Sequence, residues 1–221
     1  MVEQPKLTIG YWKIRGQISP IKYVLEYLGV PYNAVHYEQT DGPEFSKDAW
    51  FSVKFTLGFD FPNLPYLIDG DLKISESNAI YRYIANKYGP EGFYGKDAKE
   101  KATIDMIYGV VADIKGAFNP HMYGSGDKNA VIEISKRMEQ VSNFLGSKHF
   151  IAGDNVTWVD FYIFEQIEVF AWITEGEFLT RYPNLAEYHK RIAALPRFSE
   201  YYHSDRFVKR PFNNKMAKLN N

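Results

Sequence analysis

The 221-residue chain contains no cysteine. That excludes disulfides, thiolate metal sites and any cysteine nucleophile, and with them every redox reaction a protein runs on its own sulfur. Charge of one sign is not in surplus either, since 26 Lys and Arg against 27 Asp and Glu leave a net −1. A binder of nucleic acid or of an anionic membrane surface needs a basic excess on one face, so neither is an expected partner. Long apolar runs are missing: the most apolar stretch, Val156 to Ile173, carries Asp160, Glu165, Gln166 and Glu168, too polar for a bilayer span of about 20 residues. Residues Met1 to Lys6 show no basic stretch leading into an apolar core, so no secretory signal is read and a cytoplasmic location is expected. No phosphate loop, dinucleotide fingerprint or H-E-x-x-H is present, and the five histidines have no i,i+3 or i,i+4 pair; no metal is expected.

Aromatic residues, by contrast, are abundant, with 16 Phe, 17 Tyr and 4 Trp. The length suits one large domain or two small ones, and the pattern favours two. Lys6 to Trp12 alternates as a half-buried strand, and Arg15-Gly16 is its exit turn. Ser19-Pro20 reads as an N-cap followed by a first-turn proline, with Ile21, Val24, Leu25 and Leu28 at helical spacing before Gly29. Tyr32 to Glu38 alternates again, so the opening is a βαβ unit with two parallel strands.

Gln39 to Pro62 has no sustained period, which in a compact domain points to a functional connection. Tyr66–Ile68 and Leu72–Ile74 flank Asp69-Gly70-Asp71, a hairpin signal. A helix follows with Ile80, Tyr83, Ile84 and Lys87 on one stripe. The expected domains are 1–87 and 98–221, joined by a glycine- and proline-rich linker at 88–97. The second half reads as helices at about 98–118, 130–146, 156–173, 184–194 and 198–203. Thr157 and Asp160 form a capping-box pattern, a better account of Thr157 than the sequon Asn155-Val156-Thr157. The basic stretch Arg206 to Lys218 reads as a solvated tail.

Three groups of residues then stand out: Gly10-Tyr11-Trp12-Lys13-Ile14-Arg15-Gly16; Leu57 to Gly70, with Asn63-Leu64-Pro65 at its centre; and Ser75-Glu76-Ser77-Asn78-Ala79-Ile80. With Phe150 to Phe161 and Tyr182-Pro183-Asn184-Leu185 further on, they resemble the cytosolic glutathione transferases, the mu class most closely, over essentially the whole chain. The resemblance implies an α/β N-terminal thioredoxin-like domain (β-α-β-α-β-β-α), which binds glutathione, plus an all-α C-terminal domain carrying the electrophile site. It implies an enzyme of detoxification that conjugates glutathione, as co-substrate rather than cofactor, to small apolar electrophiles. Two other readings keep the fold: a carrier of apolar ligands without useful rates, or an isomerase that uses glutathione without consuming it.

Residue by residue, the resemblance makes Tyr11 the catalytic donor to the glutathione sulfur and Leu64, before a cis Pro65, the main-chain partner of the cysteinyl unit. Ser77, at a helix start, would bind the γ-glutamyl carboxylate, with Glu76 on the ammonium. Trp12, Trp50, Lys54 and Asn63 complete the chain's own contacts, Lys54 at the glycyl carboxylate, and Asp113 would reach across a homodimer to the ammonium. Phe61 and Arg82 match interface residues, Phe61 as an aromatic inserted between helices of the neighbouring subunit. Ile14, Tyr123 and Phe212 match the electrophile pocket. Glu76, Lys47, Gln17, Asn213 and Asn214 depart from the mu pattern; the last three put acceptance of the largest apolar substrates in question.

Overall fold

Strand β1 (Leu7–Trp12) is the hinge of the first half: it pairs in parallel with β2 (Tyr32–Tyr37) and antiparallel with β3 (Tyr66–Asp69), which pairs antiparallel with β4 (Leu72–Ser75), giving the order β2-β1-β3-β4. This computed structural model describes residues 7–220; the expected strand start at Lys6, the signal reading of 1–6 and the outer ends of both domains lie outside them. Helix α1 (Ser19–Leu28) joins β1 to β2, and Gly29 ends it with a left-handed φ of 67°. A single turn, α2 (Asp48–Phe51), interrupts the irregular connection, and the hairpin β3–β4 leads to α3 (Ser77–Tyr88). The thioredoxin-like order is therefore present, with its second helix reduced to one turn.

Two details correct the sequence reading. Ser19 is the first helical residue rather than the cap: Ile18 takes the N-cap position in αR with no side-chain cap. The turn before it is already wound, since Ser19 N–H donates to Arg15 C=O at 3.1 Å, so α1 grows out of that turn without a capping hydroxyl. On α3 the buried face is Ile80, Tyr81, Ile84 and Ala85. Tyr83 and Lys87 leave the stripe because Asp69, buried at the end of β3, accepts from both (2.8 and 2.6 Å) and from Tyr88.

The second half contains α4 (Ala98–Pro120), α5 (Lys128–Ser135), α6 (Glu139–Leu145), α7 (Trp158–Ile173), α8 (Glu177–Arg181), α9 (Pro183–Ala193) and α10 (Phe198–Tyr202). The helix expected at 130–146 is broken by a 3-10 turn at Lys136–Met138. Ser135 Oγ donates back to Ile132 C=O at 2.6 Å, and Tyr182 Oη donates to Lys136 C=O at 3.1 Å; both pull carbonyls out of the regular ladder. Helix α7 is the axle. Thirteen of its residues are buried, so it is hydrophobic all round, as a central helix must be. Asp160 closes the capping box by accepting from Thr157 N–H at 2.7 Å, and also takes Ile151 N–H and Tyr188 Oη.

The halves are packed together along α1, α3 and α7. Tyr23 of α1 lies in an aromatic group with Phe164, Phe198 and Phe207, and Phe93 of the connection after α3 is buried against Tyr27. Each such ring buries on the order of 150–250 Å². The stretch after Arg206 is not the expected solvated tail. Phe207 and Phe212 are buried, and the carbonyls of Pro211 and Phe212 accept from Arg15 N–H and Gly16 N–H at 2.9 Å each. Two of its five basic groups are held in ion pairs, Arg206 with Glu26 and Lys215 with Asp41.

Candidate active site

Tyr11 sits one residue from the end of β1, opposite His36 of β2. Two glycines shape its surroundings. A Cβ on Gly10 would stand 2.1 Å from Tyr66 Cζ, so only glycine lets the Tyr66 ring lie across β1. Gly16, with φ at +43°, lets the returning chain meet the Tyr11 ring. Tyr11 is 9% exposed. Burial pushes its phenol up to about 12, against the pull of a backbone hydrogen bond from Gln17, while Tyr123 adds a further push. At neutral pH Tyr11 is therefore a neutral O–H, a donor and not an anion.

A buried ion pair holds the turn after Tyr11. Arg15 donates to Glu165 of α7 at 2.5 and 3.2 Å, to Tyr23 at 2.9 Å and to Glu168 at 3.3 Å. Its guanidinium lies between the rings of Phe207 and Phe212. Arg15 and Glu165 are 1% and 2% exposed, so this pairing is fully desolvated.

Just before β3, Leu64-Pro65 is a cis peptide, as are Gly42-Pro43 and Arg210-Pro211. Asn63 bridges outward, accepting from Leu64 N–H at 2.9 Å and reaching Glu76 Oε1 at 3.4 Å. Glu76 caps α3 with φ 70°, a left-handed conformation that costs a non-glycine residue on the order of 1–3 kcal/mol and that clusters at functional sites. Ser77 opens α3, so free backbone N–H groups and the positive end of the helix dipole surround it. Its hydroxyl lies 3.5 Å from Gln17 Oε1 and acts on Tyr108 of α4, pulling down a phenol that burial raises. The departure at Gln17 is thus placed between Tyr11 and Ser77.

Trp50 is buried, its ring packed edge-on to Tyr37 at 5.1 Å and stacked on Tyr66 at 6.1 Å. Trp12 and Leu64 pack on this same group, so three expected glutathione contacts from distant parts of the chain share one aromatic wall. Lys54 carries its ammonium over Phe51 and Phe55; Lys47 is the N-cap residue of α2. Asp113 is exposed on α4, with no ion pair or hydrogen bond among the described residues.

The residues expected for an electrophile separate into two groups. Trp12 and Ile14 line a mainly apolar cavity of about 150 Å³ against Pro211, Asn214 and Lys215. Tyr123 stands nearby, 38% exposed, its hydroxyl 3.4 Å from both Asn213 Oδ1 and Asn214 N. Phe212 turns its ring inward onto the Arg15 guanidinium and Trp172, and its carbonyl accepts from Gly16 N–H. The departures Asn213 and Asn214 therefore engage the Tyr123 hydroxyl, and Asn214 also lines this cavity.

Phe61 is 80% exposed, while Arg82 is engaged within the chain, pairing with Asp105 at 2.9 Å and lying over Tyr108 and Trp158. Sequence reading had not singled out Tyr108 and Lys115, which lie seven residues apart on α4, a spacing that puts them on one face. Tyr108 meets Ser77, and Lys115 lines a small gap with Gly16, Gln166 and Phe212. The helix expected at about 98–118 carries both residues; nothing in the sequence marked what they meet.

A thioredoxin-like sheet domain beside a helical one, with a buried tyrosine near the end of β1 and a cis proline leading into the neighbouring strand β3, defines a two-domain protein of the glutathione-handling type. Comparison with known proteins agrees. The family of the glutathione S-transferase N-terminal domain matches residues 7–86, and that of the glutathione S-transferase C-terminal domain matches residues 121–205. Glutathione S-transferase Mu 1 of Oryctolagus cuniculus is 36% identical over 96% of this chain and 97% of its own length, and Mu 3 of Homo sapiens is 36% identical over 99% and 97%. Among solved structures, the glutathione S-transferase Blo t 8 superposes with a TM-score of 0.85 at 28% identity, covering 97% of this chain and 100% of its own, and the pi-class enzyme of Onchocerca volvulus gives 0.82 at 25%, covering 96% and 99%. The chain belongs to the glutathione S-transferase family, on its mu-class side. Its activity is that of a transferase with glutathione as co-substrate and no metal cofactor.

Proposed function

We propose that Tyr11 stabilises the thiolate of bound glutathione and that the enzyme joins this sulfur to small apolar electrophiles seated against Trp12, Ile14 and Tyr123. A free thiol with pKa near 8.5 is only about 3% thiolate at pH 7. A donor aimed at the sulfur favours the anion, and each unit of lowering is worth about 1.4 kcal/mol and nearly tenfold more nucleophile. The thiol proton leaves to water, the sulfur lone pair forms the S–C bond, and the leaving group departs with its electron pair. In additions, the electron pair that moves onto the acceptor takes a proton instead. The observation that carries this reading is the Tyr11 phenol, held neutral by burial at the end of β1.

The remaining contacts follow the shape of the tripeptide. Leu64, beside its cis proline, offers its main chain to the cysteinyl unit; Ser77 and the start of α3 take the γ-glutamyl carboxylate, and Glu76 the ammonium. Lys54, with Trp50 and Asn63, meets the glycyl end. Residues 1–87 would form the glutathione half, 88–97 the linker and 98–221 the helical half.

A C2 homodimer completes the site. Phe61 is exposed on a loop, and a cavity of about 180 Å³ between α4 and α6, lined by Met106, Ile107, Val110 and Phe144, is of a size to take one aromatic ring. Each subunit would place Phe61 there, with Arg82 near the contact, and Asp113 would reach the γ-glutamyl ammonium across the interface. No helix among the described residues is long and apolar enough to cross a membrane; the site of action on this reading is the cytoplasm.

The deciding experiment is Tyr11→Phe, assayed with chlorodinitrobenzene. Glutathione affinity should hold while turnover falls about 10²-fold, the scale of one lost donor at developing charge, and the pKa of the bound thiol should rise. Unchanged turnover would remove Tyr11 from the reaction.

A further inference from the structure

Between α1 and the edge strand β2 lies a cavity of about 530 Å³ whose lining includes none of the residues expected to hold glutathione or the electrophile. Its apolar wall is Leu25, Val30 and Pro31, and its charged groups are Lys22, Glu26, His36 and Arg206. These charges do not cancel. Glu26 is fully committed: Oε1 accepts from Arg206 at 2.6 Å and from Tyr32 Oη at 2.8 Å, and Oε2 accepts from Arg206 at 3.0 Å. Lys13 and Glu38, which act on His36 from beyond the cavity, pair with each other at 2.6 Å.

Lys22 is the cation left over. It is 7% exposed, yet it has no ion pair and no side-chain hydrogen bond among the described residues. Residues of β2 alternate in direction, so Tyr32, Ala34 and His36 share the face turned to α1, and His36 stands at the exposed end. A buried ammonium without a counter-ion is costly. Burial brings Lys22 down to about 8 against the attraction of Glu26. His36 is lowered by burial and then by Lys22 and Lys13, with Glu38 opposing.

One negative charge between Lys22 and His36 would neutralise the excess and offset both effects. The apolar wall beside them calls for a short hydrocarbon body on that charge. We propose that this cavity binds a small organic monoanion, a carboxylate whose head lies between Lys22 and His36 and whose body covers Leu25, Val30 and Pro31.

The test follows the His36 ring resonances by NMR in the full-length protein as sodium hexanoate is added, with sodium chloride at matched ionic strength as control. Hexanoate should shift them saturably and raise the His36 pKa, and saturating glutathione should leave this binding unchanged. Lys22→Met, which keeps an unbranched chain at the site, should raise the His36 pKa in the absence of ligand and weaken hexanoate at least tenfold. Acetate and inorganic phosphate should bind at least tenfold more weakly than hexanoate. The proposal fails if His36 shows no saturable response in the wild-type protein, if the variant binds as tightly, or if phosphate or acetate equals hexanoate. Should Lys22→Met not fold by circular dichroism, Lys22→Gln replaces it under the same criteria.

Discussion

A Cβ on Gly16 would stand 2.6 Å from Tyr11 Cε1 and 2.8 Å from the Tyr11 hydroxyl oxygen. The phenol therefore occupies space that only a glycine leaves open, and the same residue holds a φ of +43°. Gly16→Ala should lose about 1–2 kcal/mol for the left-handed backbone alone, a fall in Tm of about 2–8 °C at this chain length. Displacing the hydroxyl from the sulfur should cut turnover by tenfold or more, since misplacement of about 1 Å can cost 10²-fold. Thermal melting and chlorodinitrobenzene kinetics check the two effects separately; a variant with wild-type turnover would show that the position of the phenol does not govern the rate.

Stability should fall at both ends of the pH scale, for opposite reasons. Burial raises Tyr11 to about 12 and holds Tyr23, Tyr81 and Tyr188 well above 10. The folded state favours the protonated phenols, so this contribution is full below about pH 10 and is lost as pH climbs beyond it. Glu168 runs the other way: burial alone would raise it, but the hydrogen bond from His189, the charge of Arg15 and the Tyr202 hydroxyl bring it down to about 2. Its contribution is present above the ordinary value of 4.5 and is lost as pH falls toward 2. Urea midpoints across pH, with tyrosinate absorbance on the alkaline side, should show both limbs, and Glu168→Gln should flatten the acid one.

Much of the fold was legible because it rests on local chemistry. Gly29 in a left-handed cap and the Asp69-Gly70-Asp71 turn act within a few residues of themselves, and so does Thr157 with Asp160. The break at Lys136–Met138 was hidden because one of its causes, the Tyr182 hydroxyl, comes from 46 residues away. The C-terminal stretch misled for a related reason. Its charges read as a solvated tail, but Phe207 and Phe212 anchor it, and the backbone of Arg15 and Gly16 supplies its hydrogen-bond partners.

The candidate site divides along the same line. Tyr11, Trp12, Trp50 and Leu64 were all singled out through resemblance to the family. The contact between Ser77 and Tyr108, and Gln17 between them and Tyr11, depend on how α4 meets the first sheet domain. No periodicity reports that.

Arg15 and Glu165 give a prediction about what holds the turn after Tyr11. Arg15→Ala would leave Glu165 buried, 2% exposed and without its cation, a situation that costs about 3–5 kcal/mol. Removing both charges is different: Arg15→Met with Glu165→Leu should recover most of that loss, because the desolvation of two ions disappears along with their attraction. Urea denaturation of the two single variants and the double should therefore give a strongly non-additive cycle. Turnover of the double variant should stay below wild type if the pair also fixes the turn that carries Gly16; additive losses would mean the pair is not coupled.

Phe61 tests the subunit contact. Its backbone is fixed independently of its ring, because Ser75 Oγ donates to Phe61 C=O, so Phe61→Ala should leave the loop in place and remove only the ring. If the ring fills the cavity between α4 and α6, its loss is comparable to a buried Phe→Ala change of about 3–5 kcal/mol, and the symmetry of the dimer applies it twice. The dissociation constant should rise at least a hundredfold, and sedimentation velocity at low concentration should find mass moving from twice 25.6 kDa toward 25.6 kDa. Phe144→Asp, which charges the wall of the same cavity, should do likewise. Because Asp113 would act across the interface, the dissociated variant should also show a raised KM for glutathione with Tyr11 untouched. A Phe61→Ala protein that remains a dimer with normal KM would separate this ring from both assembly and the completion of the site.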